Sequence, residues 1–356
     1  MGLTGWPLLI LVGVLTVVAP VLVAITWRRT APSSGVSRVL RTLGRFLAVL
    51  GCQVLAVSLT FLAVNHSFVF YSSWGDLLGT PTSPTSITTA NLVRPGNGRV
   101  EVFQVNGAAS KASAQVLIWL PPQYDDPAYA KTSFPVTMML PGQPGTPEAT
   151  FAHFDFATNA TQAIRNQGVK PFIAVFPPLM TNPPRDTECT DIPNGPQAET
   201  WLATDVRNAV LTHARATSDP RLWSVMGYST GAFCAAKLLL RHPNTYLAAA
   251  GFAGYYQPLT DHTTGNLFGG SKKRYNQNSP LWLYGQKKLA AGHKMLLISG
   301  RKDRASWPET QKMLQATQGD PSVSSLIFAT GGHNYRNYRD SMPQVLQWLA
   351  AAQAFG

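Results

Sequence analysis

The stretch "SVMGYSTGAFCAAKLLLRHP", Ser224–Pro243, joins a strand-like apolar run to an apolar run of helical periodicity. Ser229 lies between the two runs, with Gly227 and Gly231 two residues away on either side. A serine on a sharp strand-to-helix turn needs small neighbours at these positions, because the turn brings two backbone segments into close contact. The pattern predicts a nucleophile elbow at Ser229, and a small residue in a glycine-rich bend is the alternative.

Short apolar runs and helical patterns alternate on both sides of this stretch. Strands that alternate with helices predict an α/β fold in which a mainly parallel central sheet carries helices on both faces. The first strands have no helix between them, so we expect the sheet to start antiparallel. The predicted strands are "RVEVFQV", "AQVLIWLP", "PVTMMLP", "PFIAVFPP", "LWSVMGYS", "LAAAGFAGY", "KMLLISG" and "VSSLIFATG", and the predicted helices are "DFATNATQAIRNQG", "ETWLATDVRNAVLTHARA", "TGAFCAAKLLLRHP", "WPETQKMLQATQ" and "SMPQVLQWLAAAQ".

Two apolar segments without charge precede this region, Pro7–Thr26 and Phe46–Val64. Each has about 20 residues, the length that a helix needs to cross a bilayer. We predict transmembrane helices at about 7–26 and 46–64, within a membrane region at 1–75. A signal peptide is the alternative for the first segment, which has neither a basic start nor a small-residue cleavage site. Lipid attachment at Cys52 is disfavoured, because this cysteine lies in the middle of its apolar segment.

The connection between these segments is basic. No acidic residue occurs before Asp76, and the connection carries five arginines: Arg28, Arg29, Arg38, Arg41 and Arg45. Under the positive-inside rule this loop stays cytoplasmic, so both ends of the chain should lie on the other side. We therefore expect a multi-pass protein of the plasma membrane. A Pro/Thr-rich linker at 76–98 would lead to an extracytoplasmic domain at 99–356.

The formal net charge of +12 falls to +7 without these five arginines, because 24 basic and 17 acidic residues remain. The basic run Ser271–Tyr275 and the pair Lys287 and Lys288 are not interleaved with aromatic residues, as a nucleic-acid-binding surface would be. The charge therefore indicates a solvated face or attraction to anionic lipid headgroups, and we expect no nucleic-acid partner.

Three cysteines are too few for a disulfide scaffold, and Cys52 lies in a predicted transmembrane helix. Cys189 and Cys234 lie in the outer domain, where an oxidising environment permits a bridge. We expect a disulfide between Cys189 and Cys234, with two free thiols as the alternative.

A serine hydroxyl becomes an effective nucleophile only when a base takes its proton. His333 follows the last predicted strand in "LIFATGGHNYRNY", on a glycine-rich loop that can hold an imidazole over the sheet edge. A polar loop residue after a Gly-Gly turn is the alternative. Three other histidines are less suitable, because they abut a membrane segment or lie in or at the end of predicted helices: His66, His213 and His242.

The third group must be a carboxylate that orients the imidazole. Asp303 follows the penultimate predicted strand in "LLISGRKDRAS", at the carboxyl end where the site should lie. The chain order Ser229, Asp303, His333 matches the order of the α/β-hydrolase fold, which is our predicted fold class. The alternatives are another acid, Glu309 or Asp320, or an Asp303 that only pairs with Arg301 or Arg304.

Negative charge that develops on a substrate oxygen needs backbone N–H donors already in place. Thr230 supplies one at the start of the helix after Ser229. Gln143 is our choice for the second, because Pro141 and Pro144, in the loop that ends the stretch "VTMMLPGQPG", have no N–H. The histidines show no metal-ligand spacing, so we predict no metal.

These residues resemble the α/β-hydrolase branch that contains esterase D-type esterases and the antigen 85-type mycolyltransferases of actinobacteria. The resemblance extends from about Arg99 to the C-terminus and rests on "GYSTGAFCA", "GRKD" and "GGHNY"; "DTECTD" is similar to actinobacterial members and suggests an ordered loop near the site. It implies a serine enzyme that acts on acyl esters without a cofactor. The two apolar segments resemble those of membrane-anchored envelope relatives. The expected substrate is an acyl ester, and an envelope lipid or glycolipid is one candidate.

Two features depart from the mycolyltransferases, which use a glutamate as the triad acid and lack the second elbow glycine. This chain has Asp303 and Gly231 at those positions. We therefore expect a carboxylesterase that works through a Ser-His-Asp triad and an acyl-enzyme. The alternatives are an acyltransferase acting on envelope lipids or glycans, which would use the same residues, and a non-catalytic envelope scaffold.

Overall fold

A computed structural model describes most of the 356-residue chain, which divides into two compact units, Met1–Thr80 and Pro81–Gly356. Arg28 and Arg29 of the predicted cytoplasmic loop and most of the predicted linker, 78–91, lie outside the described residues. The described residues are 2–3, 5–27, 36–68, 74–77, 92–166, 168–179, 181 and 185–354.

The first unit consists of helices α1 (Trp6–Trp27), α2 (Val36–Phe68) and the short α3 (Trp74–Leu77). By length and composition, α1 and α2 are able to cross a membrane. They pack antiparallel. The Thr16 hydroxyl donates to the Leu55 carbonyl at 3.3 Å, and Arg45 Nη2 donates to the Trp27 carbonyl at 2.6 Å.

Helix α2 begins ten residues before the predicted span, so part of the predicted basic loop is helical. Hydropathy identifies the stretch that suits a bilayer, but it does not show where a helix ends. The segment from Val36 contains no proline, and leucines and arginines favour helix, so the helix continues beyond the apolar stretch.

The second unit contains one eight-stranded sheet with the strand order β1-β2-β4-β3-β5-β6-β7-β8. The pairs β1–β2 and β2–β4 are antiparallel, and the other neighbours are parallel. This arrangement confirms the predicted strands, the antiparallel start and the mainly parallel sheet. The strands are β1 (Arg99–Asn106), β2 (Ser113–Leu120), β3 (Val136–Leu140), β4 (Ile173–Phe176), β5 (Trp223–Tyr228), β6 (Ala248–Phe252), β7 (Lys294–Gly300) and β8 (Val323–Phe328).

Helices cover both faces of the sheet. The helices of this unit are α4 (Pro147–His153), α5 (Phe156–Asn166), α6 (Ala198–Thr200), which continues through a π-helical turn at Trp201–Val206 into α7 (Arg207–His213), α8 (Thr230–Arg241), α9 (Lys272–Gln277), α10 (Pro280–Lys287), α11 (Trp307–Ala316), α12 (Arg336–Arg339) and α13 (Met342–Ala354), with 3₁₀ turns at Pro122–Asp125, Pro127–Tyr129 and Pro220–Leu222.

The side chains of the central strands point alternately to the two faces of the sheet and divide the apolar core into two layers. Val225 contributes to the layer that contains residues of α7, α8 and α10, whereas its neighbour Met226 contributes to the layer with α5 and α13. Successive side chains of a strand point to opposite faces, so a strand covered on both sides reads as an unbroken apolar run. This explains why the central strands could be predicted although they show no polar alternation.

Four short helices of this unit were not predicted from the sequence: α4, α9, α10 and α12. The first three each begin with a capping hydroxyl that accepts from a backbone N–H three residues later. The acceptors are Thr146, Ser271 and Ser279. A Ser or Thr directly before a proline, as at Thr146 and Ser279, is a helix-start signal that the sequence does contain.

A disulfide joins Cys189, in the loop before α6, to Cys234 on α8, with the two Cα atoms 6.0 Å apart. The bond therefore attaches a long connecting loop to the helix that follows Ser229.

We expect alkylation of the denatured, unreduced full chain to modify Cys52 alone, and all three cysteines after reduction. Because the bridge closes a loop with a sequence separation of 45 residues, replacing both Cys189 and Cys234 with serine should lower the free energy of unfolding by about 2–5 kcal/mol. Cys52→Ser is the control. Alkylation of Cys189 and Cys234 without reduction would contradict the bridge.

Candidate active site

Ser229 lies between β5 and α8 in a backbone conformation that is rare for a residue with a side chain, at φ 55° and ψ −115°. Its N–H donates to the Phe252 carbonyl at 2.8 Å, which anchors the turn to β6. Such strain persists only where the surrounding structure imposes it, and it is common at functional sites.

The two elbow glycines make this conformation possible. A Cβ on Gly227 would lie 2.3 Å from the backbone of Gly231, and a Cβ on Gly231 would lie 2.3 Å from the Leu140 carbonyl oxygen. No side chain fits at either position. The first turn of α8 therefore packs directly against the ends of β5 and β3, as the Gly-x-Ser-x-Gly spacing predicts.

Three polar side chains meet at the carboxyl ends of the parallel strands. The Ser229 hydroxyl lies 3.0 Å from His333 Nε2, and His333 Nδ1 lies 3.0 Å from Asp303 Oδ2. If Nδ1 carries the ring proton, the imidazole donates to Asp303 and accepts from Ser229. This is the arrangement that a nucleophile, base and orienting acid require.

Asp303 is fully buried, and its carboxylate has donors besides the imidazole. The backbone N–H groups of Ala305 and Ser306 donate to Oδ1, each at 3.1 Å, and the Tyr338 hydroxyl donates to Oδ2 at 3.0 Å. Burial raises the pKa of Asp303. The hydrogen bond and charge of His333 and the hydrogen bonds from Ser306 lower this pKa by more than burial raises it, so the net pKa lies below its ordinary value. The carboxylate is therefore ionised at neutral pH.

The loop that carries His333 is shaped by its glycines and by one side chain. Gly331 has φ +107°, a conformation that favours glycine, and the Asn337 amide donates to the Gly332 carbonyl at 2.6 Å. The ring of Tyr228 lies beside the imidazole, with ring centroids 5.2 Å apart. These contacts hold the imidazole between the serine and the acid.

The two expected oxyanion donors belong to segments that adjoin Ser229. Thr230 is the first residue of α8, so its N–H has no carbonyl to bond within that helix. Gln143 follows Gly142, where a Cβ would lie 3.3 Å from the Ser229 Cβ. The loop after β3 therefore reaches Ser229, as the choice of Gln143 requires.

The sequence profile of a family described as "Putative esterase" matches residues 107–354, well over half of the chain. The chain belongs to this esterase family. It is thus a member of a family of ester-hydrolysing enzymes, and the matched region contains all three residues of the hydrogen-bonded chain.

The chain is also similar to individual proteins. A Corynebacterium glutamicum protein described as uncharacterized is 25% identical over 249 residues, which cover 65% of this chain and 56% of that protein. A ferulic acid esterase structure matches with a TM-score of 0.62 and 14% identity, over 72% of this chain and 98% of that one. An S-formylglutathione hydrolase from Agrobacterium tumefaciens matches with a TM-score of 0.62 and 16% identity, over 74% and 98%. These structures confirm the predicted α/β-hydrolase fold.

The other acids and histidines that were candidates for the triad in this esterase-family chain have other partners. Glu309 pairs with Lys312 and accepts from Gln257, and Asp320 accepts from Tyr284 and Ser322. His213 lies 2.9 Å from Glu101 and His242 2.7 Å from Glu199. Among the residues that the structure describes, no three histidines, cysteines or carboxylates are grouped as metal ligands would be.

The residues that support Asp303 and the loop next to Thr230 could not be recognised in the sequence. Tyr338, which donates to Asp303, follows His333 by five residues, and neither its type nor its spacing marks this role. Lys237 is fully buried but appears in the sequence as one charge within the helix after the nucleophile. Glu188 and Tyr255, next to Thr230, were missed as well, although "DTECTD" does indicate an ordered loop.

We expect Gly231→Ala to slow fluorophosphonate labelling of the full chain by about 10²-fold, because the new Cβ must displace the Leu140 carbonyl and with it Ser229. Overpacking should also cost about 1–3 kcal/mol of stability.

Gly285→Ala is the matched control. Gly285 lies in α10, with no atom within 4 Å of the added Cβ. This variant should label at the normal rate and be about 1 kcal/mol more stable. Normal labelling of a folded Gly231→Ala variant would contradict the elbow.

Proposed function

We propose that this protein is a membrane-anchored serine hydrolase that cleaves carboxylic esters outside the cytoplasm. Ser229 would act as nucleophile, His333 as base and Asp303 as orienting acid. The observation that carries the proposal is the continuous chain of hydrogen bonds, 3.0 Å from Ser229 to His333 and 3.0 Å from His333 to Asp303, at the carboxyl edge of a hydrolase-type sheet. Membership of the esterase family supports the same chemistry.

Acylation begins when the Ser229 oxygen attacks the carbonyl carbon of the ester and its proton passes to His333 Nε2. The carbonyl oxygen becomes an oxyanion, which the N–H groups of Thr230 and Gln143 stabilise. The C–O bond to the leaving alcohol then breaks, and the alcohol oxygen takes the proton from Nε2. Asp303 stabilises the imidazolium between these two transfers and holds Nδ1 as the donor.

Deacylation repeats these steps with water. A water molecule gives its proton to His333 Nε2 and attacks the acyl carbon, and the bond to Ser229 breaks as the proton returns to the serine oxygen. A hydroxyl of a lipid or glycan in place of water would make the protein an acyltransferase. Asp303 and Gly231 differ from the mycolyltransferase pattern, so we favour hydrolysis.

A non-catalytic scaffold is the other alternative, and the strained turn argues against it. The conformation of Ser229 costs about 1–3 kcal/mol, and a scaffold gains nothing from holding a serine in it. A scaffold likewise has no need of a buried carboxylate aligned with an imidazole.

The proposed location rests on the first unit. In α1 and α2 the apolar side chains are largely exposed, a surface that suits lipid rather than water. The arginines between the apolar segments favour a cytoplasmic connection. The hydrolase unit would then lie on the opposite side of the membrane, where the Cys189–Cys234 bridge is stable.

We expect a fluorophosphonate probe to label the full-length chain in detergent at Ser229 alone, as mapped by mass spectrometry. Ser229→Ala should abolish labelling and lower the rate of hydrolysis of a p-nitrophenyl ester by more than about 10³-fold. Ser325→Ala, an exposed serine on β8, is the matched control and should behave as the wild type. A fully active Ser229→Ala variant would refute the assignment.

Orientation can be measured with a membrane-impermeant maleimide on cells that express Cys52→Ala variants with the native bridge. We expect Ser325→Cys, in the hydrolase unit, to react in intact cells. Ser34→Cys, in the connection between the helices, should react only after permeabilisation. The opposite pattern would place the hydrolase unit in the cytoplasm.

A further inference from the structure

A second buried polar cluster lies behind the proposed oxyanion hole. The Tyr255 hydroxyl hydrogen-bonds to Glu188 Oε1 and lies 3.2 Å from the Thr230 hydroxyl oxygen. All three side chains are buried, with 0% of Glu188 and 4% of Thr230 exposed. The cluster therefore connects a buried carboxyl group to the residue that follows the nucleophile.

The number of protons in this cluster restricts its hydrogen bonds. A tyrosine hydroxyl has one proton to donate and accepts through its lone pairs, so Tyr255 cannot donate to Glu188 and to Thr230 at the same time. If Glu188 is protonated, it donates to Tyr255, and Tyr255 donates to Thr230. If Glu188 is ionised, Tyr255 donates to the carboxylate, and Thr230 must give its own proton to Tyr255.

We propose that Glu188 is a positioning residue for the oxyanion hole and that its proton, acting through Tyr255, sets the direction of the hydrogen bond at Thr230. This inference rests on the proposed function, because it assigns Thr230 to the oxyanion hole. In the protonated state the Thr230 hydroxyl accepts from Tyr255 and keeps its own proton for another acceptor. In the ionised state the Thr230 hydroxyl donates its hydrogen bond to Tyr255 and has none left for another acceptor.

The surroundings of Glu188 favour the protonated state at neutral pH. Burial raises the pKa of Glu188 to about 8, and the nearby charge of Asp186 adds to this effect. The hydrogen bond from Tyr255, the N–H of Leu259 and the charge of Lys237 on α8 act in the opposite direction but do not cancel it.

Among the other titratable groups of this region, Lys237 has a pKa that burial lowers to about 8, close to that of Glu188. Its titration would persist in a Glu188→Gln variant, so that variant separates the two groups. Burial and the charges of Glu188 and Asp186 raise the pKa of Tyr255 far above its ordinary value, so Tyr255 keeps its proton. Burial raises the pKa of Asp186 as well, with a contribution from Asp261 in the loop after β6. Tyr275 on α9 also interacts with Glu188, and its own pKa is raised, mainly by burial.

The loop that carries Glu188 is held firmly, as a positioning role requires. Glu188 and Cys189 both have positive φ, at 48° and 44°, which costs free energy in residues with side chains. The buried Lys237 ammonium donates to the Glu188 carbonyl at 2.9 Å and to the Cys189 carbonyl at 2.8 Å. The bridge to Cys234 adds a covalent attachment to the same helix.

Tyr255 is fixed from the other side. Its ring stacks on that of Phe233, with centroids 5.1 Å apart and an interplanar angle of 16°. Phe233 and Thr230 both belong to α8. The hydroxyl of Tyr255 is thus held between the loop and the first turn of the nucleophile helix, with little freedom to find other partners.

The test is the pH dependence of kcat for ester hydrolysis by the full-length protein in detergent, between pH 6.5 and 9.5. We expect wild-type kcat to fall about tenfold as pH rises, with a midpoint near the pKa of Glu188, about 8. Glu188→Gln should remain within about threefold of wild type at pH 7 and lose this decline, because its amide donates to Tyr255 at every pH.

Tyr255→Phe breaks the connection and should lower kcat at pH 7 about tenfold, again without a decline near pH 8. Tyr246→Phe is the matched control. Tyr246 is also fully buried, and its hydroxyl donates to the Leu202 carbonyl at 3.2 Å, outside the cluster. It should keep the wild-type pH profile whatever its effect on stability, which thermal unfolding reports for each variant.

A Glu188→Gln variant with the wild-type alkaline decline would overturn the inference, and if that variant does not fold, the same profile in Tyr255→Phe would do so. Fluorophosphonate labelling of Ser229 in the same samples separates the two proposals. If Ser229 is labelled and the variant keeps the wild-type pH profile, only the role of Glu188 is refuted. If Ser229 of the wild type is not labelled, the proposed function itself is refuted.

Discussion

Direct contact between backbone segments at the elbow is the constraint on which the site depends. The Gly227 backbone touches that of Gly231, and Gly231 in turn touches the Leu140 carbonyl, at distances that no Cβ would permit. These contacts bring the end of β3, the end of β5 and the start of α8 to one point. They hold Ser229 in its strained conformation and place the loop that carries Gln143 beside it. The positions of Ser229, of Thr230 after it and of the loop that carries Gln143 therefore depend on the same backbone contacts.

Two buried carboxyl groups near this point have pKa values shifted in opposite directions, for reasons visible in their surroundings. Asp303 receives four hydrogen bonds, from His333, Tyr338 and two backbone N–H groups, and its pKa is lowered. Glu188 is buried beside another acid, and its pKa is raised to about 8. One group is suited to stabilise a transient imidazolium and the other to donate a hydrogen bond at neutral pH. Environments that separate the pKa values of two acids in this way commonly mark different roles.

Helix α8, which follows Ser229, connects these two clusters. Its first residue, Thr230, faces the Tyr255 hydroxyl, and its buried Lys237 binds the carbonyls of the Glu188 loop. An ammonium ion without partners would be costly in this interior, so the lysine and the loop depend on each other. The disulfide to Cys234 makes the same connection covalently. Support for Ser229 thus comes from a loop that lies about 40 residues before it in the sequence.

Local sequence was sufficient for whatever depends on neighbours along the chain. Apolar runs identified all eight strands, the glycine spacing identified the elbow, and the positions of Asp303 and His333 after successive strands predicted that they would meet, because parallel strands end at one edge. Length and composition likewise identified two helices able to cross a membrane, though not that α2 begins at Val36. The capping hydroxyls of α4 and α10 are local signals as well, and they were overlooked.

The contacts of Tyr338 with Asp303 and of Glu188 with Tyr255 depend instead on packing between segments 35 and 67 residues apart. Only the tertiary structure could establish them, because the direction and burial of a polar side chain are decided by the elements that pack around it and not by its neighbours in sequence.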